Sequence, residues 1–142
     1  RAAAFDADII SLGQKAVEEK MAELEAKDKR EAKEEELYVV LQLAWEMYIR
    51  GFTCLKVDLY RSKADRFTML PEENAILPPF TALGGLGSVD AHSLEEEREN
   101  GEYSSVENMK KRTGITKTSV EALRNHGCLD GMDESDQLSL FG

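Results

Sequence analysis

Apolar residues recur three or four positions apart in the first part of the chain. Over residues 6–28 this spacing predicts one amphipathic helix, with Asp6 or Asp8 capping its start. Residues 27–36 are nearly all charged. Such a run favours a solvent-exposed turn over a binding site. We therefore expect a second helix to follow this turn.

That second helix is predicted over residues 32–50, before Gly51, which can adopt the positive φ of a helix C-terminal cap. Its apolar positions are typical of a buried face, although a groove for a partner or cofactor has the same pattern. The two helices are expected to pack as an antiparallel pair. The apolar stripe comprises Leu37, Val40, Leu41, Ala44, Met47 and Tyr48, widened by Val39, Leu43 and Trp45.

The pattern then changes from helical to extended. Apolar and polar residues alternate over 52–60, which predicts a short strand. Two more extended pieces, 67–70 and 75–77, flank the turn at 71–74 and predict a small β-hairpin. Two prolines at 78–79 follow, and the hairpin must stop there because proline lacks the amide that continues a sheet.

Helical spacing returns after the prolines. Four short helices are predicted over residues 80–84, 88–99, 105–112 and 117–126, separated by turns that contain glycine. Residues 130–142 are acidic and polar until the last few positions, which predicts a flexible arm. The predicted fold class is mainly α with a small β-hairpin.

The turn before the second of these short helices has the most specific local pattern. Gly85 and Gly87 flank Leu86, and glycines allow a tight turn and a close approach of the backbone to a phosphate. The amides of residues 86–89, including that of Ser88, would lie at a helix N-terminus, where the helix dipole favours an anion. This favours a phosphate-binding hairpin over a plain interhelical turn. The residues expected to hold its helices together are Leu83, Leu86, Ala91 and Leu94.

A second, degenerate hairpin is predicted at residues 113–118, where the second glycine is missing. Thr116, Lys117 and Thr118 could offer hydroxyls, amides and one charge to a phosphate, contacts that position DNA without reading its sequence. A purely structural turn remains the alternative. Two such hairpins packed as a pseudo-symmetric pair would hold both strands across a minor groove.

The charge of the chain limits how it could bind nucleic acid. Its 142 residues carry a formal net charge of −10, which argues against wrapping DNA on a broad basic face. Any DNA contact must therefore be local. No run of 18 apolar residues or signal pattern is present, so no membrane partner is expected. The first residue is Arg1 rather than methionine, and we expect a piece of a longer chain.

Cysteine and histidine are too few and too scattered for a predicted metal site. The chain has two cysteines, Cys54 and Cys128, and two histidines, His92 and His126. A zinc site needs about four ligands, usually in close pairs. Two reduced thiols without a metal are the expectation.

The last residues form a short motif of their own. Gln137, Leu138, Ser139, Leu140 and Phe141 alternate polar and apolar side chains on the predicted acidic arm. Leu140 and Phe141 would fill an apolar pocket and Gln137 would hydrogen-bond at its rim, as in interfaces held by a few strong anchors. A stray hydrophobic chain end is the alternative.

Several short segments together resemble the C-terminal end of the PolC-type DNA polymerase III alpha subunit, the replicative polymerase of low-GC Gram-positive bacteria. They occur in order and with similar spacing along the whole chain. They are Lys56-Val57-Asp58-Leu59-Tyr60-Arg61-Ser62, Leu77-Pro78-Pro79-Phe80, Leu86-Gly87, Gly101-Glu102-Tyr103, His126-Gly127-Cys128-Leu129 and the final Gln137-Leu138-Ser139-Leu140-Phe141.

The resemblance implies three units: the end of the fingers region at 1–75, paired helix-hairpin-helix motifs that hold duplex DNA at 76–129, and a flexible arm at 130–142. It assigns phosphate contacts to Gly85, Leu86 and Gly87. The arm would carry the pentapeptide that binds the sliding clamp.

The resemblance also implies a cytoplasmic, magnesium-dependent parent polymerase whose remaining chain is a partner of this segment. The catalytic carboxylates of that family lie in its palm, which no segment here matches. We therefore expect no catalytic residue, cofactor or metal in this chain, and we read the acidic run 95–97 as helix-surface charge.

Two other functions remain open from sequence. One is a stand-alone helix-hairpin-helix protein for DNA binding or repair, and the other is a helical interaction protein whose hairpins are only turns. The sequence also leaves open whether Arg61 and Ser62 approach a nucleotide.

Overall fold

The first helical segment is two helices. The computed structural model, which describes residues 4–137, places α1 at Ala7–Ile10 and α2 at Gln14–Glu25. Asp6 caps α1, because its Oδ1 accepts from the Ile9 amide at 3.3 Å. The single helix predicted over 6–28 is wrong because Gly13 lies between them with φ of 117°, a conformation that no α-helix contains.

The third helix, α3, spans Ala32–Ile49 and packs antiparallel to α2, as predicted. The Trp45 indole donates to Glu18 at 2.9 Å, and Tyr38 near the start of α3 donates to Glu25 at the end of α2. The Gly51 cap has φ of 91°. Val39 and Leu43 were predicted to widen the buried apolar face of this helix, and that prediction is wrong because both side chains are exposed.

Three short strands form one small sheet. They are β1 at Thr53–Cys54, β2 at Thr68–Leu70 and β3 at Ala75–Leu77, in the order β1-β3-β2. The predicted hairpin is confirmed as the antiparallel β2–β3 pair, to which β1 adds in parallel. Asn74 closes the turn with φ of 49°.

The strand predicted over 52–60 is much shorter than expected. Only its first residues pair with β3, yet the predicted alternation persists as burial: Val57 and Leu59 are buried while Lys56 and Tyr60 are exposed. Alternating apolar residues here reflect a loop packed against the core, and the Arg98 guanidinium holds that loop by donating to the Leu59 carbonyl at 3.3 Å.

Three helices follow the sheet: α4 at Ser88–Glu97, α5 at Val106–Thr113 and α6 at Lys117–His126. The predictions for these helices are confirmed. The helix predicted over 80–84 is a single 3₁₀ turn, Phe80–Ala82, ended by an extended Leu83. No helix among residues 4–137 is both long and apolar enough to cross a membrane.

Among residues 4–137, the buried apolar side chains form two clusters. The smaller lies between α1, α2 and α3, and the larger surrounds α4, α5 and α6. The larger cluster also includes Ala7, Val57, Leu59 and Ala64, which precede the boundary at residue 75. That boundary stays a prediction, although the packing crosses it.

The first part of the predicted arm is attached. The amides of Val106 and Glu107 donate to the carbonyls of Asp133 and Glu134 at 2.9 and 3.0 Å. The Arg124 guanidinium makes two bonds to the Glu134 carboxylate, of 2.7 and 3.1 Å. The prediction of a free arm is therefore wrong at 133–134, because the open N-terminus of α5 needs acceptors that the arm supplies.

Candidate nucleic-acid interface

The first hairpin has the backbone conformation that its glycines predict. Gly85 has φ of 88°, in the region that favours glycine, whereas Gly87 has an extended backbone with φ of −84°. A Cβ at Gly85 would lie 3.2 Å from the Thr118 side chain, but a Cβ at Gly87 would meet no atom within 4 Å. Gly85 thus fits the first hairpin against the second, and Gly87 faces open space.

The start of α4 leaves several amides unpaired. No side chain caps this helix, and among residues 4–137 no acceptor pairs with the amides of Gly87, Ser88 and Val89. The Leu86 amide, which the sequence also assigned to a phosphate, donates to the Leu83 carbonyl at 3.2 Å. The exposed donors at the positive end of the helix dipole are therefore those of residues 87–89.

The second hairpin is capped from within the protein. The Asp90 Oδ2 accepts from the Thr116 amide at 3.0 Å, the Thr116 hydroxyl at 3.1 Å and the Ser119 hydroxyl at 2.6 Å. The Thr116 hydroxyl oxygen accepts from the Ser119 amide at 3.2 Å. The Thr116 groups predicted to meet a phosphate are thus bonded to Asp90 and Ser119, while Lys117 and Thr118 are exposed.

Asp90 was not predicted as a site residue, since its partners lie 26 and 29 positions away along the chain. Partial burial favours a higher pKa for this carboxyl. Hydrogen bonds from Ser119 and from both Thr116 groups outweigh burial, and the pKa is lowered. Asp90 is therefore ionised at neutral pH and joins the two hairpins.

A groove of ≈ 570 Å³, lined by four basic and three acidic side chains, lies beside the second hairpin, between α5 and α6. Lys110, Lys111 and Lys117 line its hairpin end, and Arg124 and Glu134 lie at its other end. Lys110 and Lys111 were not among the predicted DNA-binding residues, although their position just before the hairpin is a signal in the sequence.

Arg112 ties the two hairpin units together. Its guanidinium donates to the carbonyls of Glu97, Gly101 and Glu102 at 3.1, 2.9 and 2.9 Å. It also pairs with the Glu97 carboxylate at 3.1 Å and lies 4.5 Å from the Tyr103 ring centroid. With all its donors used inside the protein, Arg112 is a structural residue rather than a free cation for DNA.

The cysteines and histidines serve the fold. Burial raises the pKa of the Cys54 thiol and, with neighbouring carboxylates, that of Cys128, each to about 12. The Cys128 thiol donates to the Val57 carbonyl at 3.3 Å, and the His126 Nε2 accepts from the Val57 amide at 2.9 Å. Among residues 4–137, no three side chains of His, Cys, Asp or Glu converge to hold a metal.

Glu95 in the acidic run 95–97 and residues 61–62 also have partners within the protein. The Glu95 carboxylate accepts from the Ala64 amide at 2.5 Å. Ser62 is fully buried, and its hydroxyl accepts from the Asp58 amide at 2.9 Å. Arg61 is exposed and pairs with Glu73 at 3.2 Å. Ser62 is therefore closed to a nucleotide in this conformation.

The tail motif lies mostly outside the described residues. Gln137 is exposed and its amide donates to the Ser135 hydroxyl at 3.1 Å. Leu138, Ser139, Leu140 and Phe141 are not among residues 4–137, so their predicted role stays a prediction.

Comparison with known proteins agrees with a helix-hairpin-helix unit. The family model described as "Helix-hairpin-helix motif" matches residues 51–138, which is more than half of the chain. The chain belongs to the helix-hairpin-helix family. The match begins before the sheet, so this family unit includes β1, β2 and β3 as well as α4, α5 and α6.

The relatives of this helix-hairpin-helix chain confirm the resemblance noted from its sequence. It is 48% identical over 143 residues to a DNA polymerase III PolC-type of Clostridium perfringens, covering 100% of this chain and 10% of the relative. It is 43% and 42% identical to the proteins of that name from Caldanaerobacter subterraneus and Bacillus subtilis, each match covering 99% of this chain and 10% of the relative. The chain thus corresponds to a segment one-tenth as long as these relatives.

Proposed function

We propose that this chain is the part of a PolC-type DNA polymerase that holds duplex DNA by its backbone, independently of sequence. The observation that carries this proposal is the uncapped start of α4, beside the glycine hairpin of a helix-hairpin-helix unit. Amides without an internal acceptor at a helix N-terminus are suited to a phosphate oxygen. Such contacts position DNA and carry no sequence information.

Capping among the three hairpin helices supports this choice of site. Ser105 caps α5 by accepting from the Asn108 amide at 2.9 Å, and Thr116 caps α6. Only α4 of these three begins without a side-chain cap. Val89 is 81% exposed, so a ligand as large as DNA can approach this helix end.

A proline at position 88 tests the amide contact. Ser88 is the first residue of α4, where proline is tolerated because its fixed φ suits the first helical turn. Gly87 before it is already extended, as the residue preceding a proline requires. Ser88→Pro should retain the fold and lose one donor to a charged phosphate, which weakens duplex binding by roughly tenfold or more.

The matched control is Ser88→Ala, which removes the hydroxyl and keeps the amide. Fluorescence anisotropy with a labelled duplex compares both variants with the parent chain, and circular dichroism verifies the fold. Equal affinity of Ser88→Pro and Ser88→Ala would overturn the amide contact. Gly85 is a poorer test position, since a side chain there would be strained and would press against Thr118.

We further propose that the tail at 137–141 tethers the polymerase to its sliding clamp. Attachment of the chain at residues 133–136 supports this, because the motif then begins at a fixed point beside α5. The Ser104 hydroxyl donates to Asp136 at 2.5 Å just before Gln137. A linked second site acts at high effective concentration, so weak DNA contacts would suffice.

The tail is tested by calorimetric titration of the clamp with the full chain. Leu140→Ala combined with Phe141→Ala should abolish binding, because both apolar anchors are lost. Ser139→Ala is the control, since it alters a residue between the anchors. Unchanged affinity of the double variant would refute the clamp assignment.

The remaining proposals concern the parent polymerase. DNA polymerisation, the magnesium that it requires and a cytoplasmic location are assigned to it by similarity to the PolC-type relatives. Residues 4–137 do not fit a magnesium site, since no cluster of three ligands forms there. The palm and the ion therefore belong to the rest of the polymerase chain, which is this segment's covalent partner.

A further inference from the structure

The two halves of the helix-hairpin-helix pair differ in the donors that they expose. Residues 83–97, around the first hairpin, contain four acidic residues and no lysine or arginine. Residues 106–124, around the second, contain five basic and two acidic residues. The first half thus offers amides without cations, and the second offers cations.

Internal contacts leave the second half fewer free amides for a phosphate than the first half has. The Asp90 carboxylate accepts hydrogen bonds from the Thr116 amide and hydroxyl, and the Thr116 hydroxyl oxygen accepts from the Ser119 amide. The carbonyls of residues 133–134 accept hydrogen bonds from the first two amides of α5. Only the amides of Lys117 and Thr118 have no acceptor among residues 4–137. Side-chain charge is therefore the main means by which this half can bind an anion.

Three lysines provide that charge at the hairpin end of the α5–α6 groove. Lys110 and Lys117 have no ion-pair partner among residues 4–137, and the Lys111 side chain, 77% exposed, lies 3.7 Å from Glu107. A Cβ on Gly85 would lie 3.2 Å from the Thr118 side chain, so the first hairpin lies beside the start of α6, which carries Lys117. Basic side chains without internal partners are suited to successive phosphates of a DNA strand.

We propose that Lys110, Lys111 and Lys117 form a second contact with the sugar-phosphate backbone of duplex DNA, distinct from the amide contact at α4, and that this contact supplies most of the salt dependence of binding. The proposal rests on the proposed function. Lysines that neutralise phosphates release counterions, and each such contact lowers the logarithm of affinity by about 0.9 per tenfold increase in salt. An amide is uncharged and contributes little to that slope.

The test is a salt titration of duplex affinity for the full chain. The variant Lys110→Gln, Lys111→Gln, Lys117→Gln should lose roughly fivefold to tenfold in affinity per lysine at 0.1 M salt, and its salt slope should fall by about 0.9 per lysine. Ser88→Pro should lower affinity with an unchanged slope. A single-stranded oligonucleotide of equal length is the second probe, and an equal loss on it would overturn the assignment to duplex.

The charge-matched control is Lys15→Gln, Lys29→Gln, Lys33→Gln. These three lysines are exposed on α2, α3 and the turn between them. This control should keep both affinity and slope, and slopes that fall equally in both triple variants would overturn the lysine surface. If Ser88→Pro weakens binding and the lysine variant does not, the lysine contact is wrong and the amide contact stands. If neither variant weakens binding, both the lysine contact and the amide contact are wrong.

Discussion

Side chains at the end of α6 satisfy both polar groups of the Val57 backbone. The His126 Nε2 accepts from the Val57 amide, and the Cys128 thiol donates to the Val57 carbonyl. Because Nε2 accepts, the neutral ring carries its proton on Nδ1 and donates it to Asp8 at 2.7 Å. His126 therefore joins α1, the loop after β1 and α6 at one buried point.

Replacement of His126 by alanine should destabilise the chain. The buried Val57 amide would lose its acceptor, which costs about 1–3 kcal/mol, and the empty volume of the ring would add to that loss. Urea unfolding followed by circular dichroism measures the change. The control is His92→Ala, whose exposed side chain lies 3.7 Å from Asp65. Equal stability of the two variants would contradict the role assigned to His126.

The role of these side chains could not be predicted from the sequence around them. His126 and Cys128 lie 69 and 71 positions from Val57, and no local pattern indicates pairs so distant. The sequence did indicate that the cysteines and histidines are scattered, which argued against metal binding. What they bind instead depends on how α6 packs against the loop.

Asp90 fixes the position of the two hairpins relative to each other. It lies in the first turn of α4 and caps α6 by accepting from Thr116 and Ser119. Among residues 4–137, the amides of Gly87, Ser88 and Val89 have no acceptor, while the first turn of α4 supplies the cap for the second hairpin. The start of α4 is thus held against the start of α6, which carries Lys117.

Asp90→Asn should lower stability by about 1–3 kcal/mol at neutral pH, because a carboxylate accepts these hydrogen bonds more strongly than an amide. The folded-state pKa of Asp90 lies below the ordinary pKa of an aspartate, so its contribution is complete above that ordinary value and is lost as the pH falls through the folded-state pKa. Urea unfolding of both chains at pH 7 and pH 3 should show the difference shrinking in acid.

The control for this prediction is Asp28→Asn, since Asp28 is exposed between α2 and α3. It should leave stability unchanged at both pH values. A difference between Asp90→Asn and the parent chain that does not vary with pH would contradict the ionised cap.

Elements with strong local signals were predictable and elements with long-range partners were not. The helices α4, α5 and α6 have helical periodicity between glycine turns, and their bounds agree closely with the prediction. The strand β1 exists because β3 lies beside it in parallel, a pairing set by the whole chain. The break at Gly13 was missed because apolar spacing continues across it.

The acidic stretch at residues 133–136, after α6, packs against α5 and α6 and completes the second half of the fold. Asp133 and Glu134 cap α5 through their carbonyls, and Glu134 pairs with Arg124 at the far end of the α5–α6 groove. The negative charge of Glu134 therefore offsets part of the positive charge of the lysines at the hairpin end. Any tail function starts from this attached stretch.

A chain ending at Met132 should differ from one ending at Gln137 in both stability and DNA affinity. The shorter chain loses two backbone hydrogen bonds at the start of α5, each worth about 0.5–1.5 kcal/mol net, so it should melt at a lower temperature. It also loses the carboxylates of Asp133, Glu134 and Asp136, which leaves Arg124 paired with Glu121 at 3.4 Å. Duplex affinity should therefore rise, with a steeper dependence on salt.

Glu134→Gln in the longer chain separates these two effects, since it removes one charge and keeps the carbonyl that caps α5. It should raise duplex affinity while the melting temperature changes little, because the ion pair with Arg124 is exposed and contributes little to folding. Melting curves and anisotropy at two salt concentrations measure both properties. Unchanged affinity in the shorter chain and in Glu134→Gln would mean that DNA does not reach the groove, and binding would then rest on the start of α4 alone.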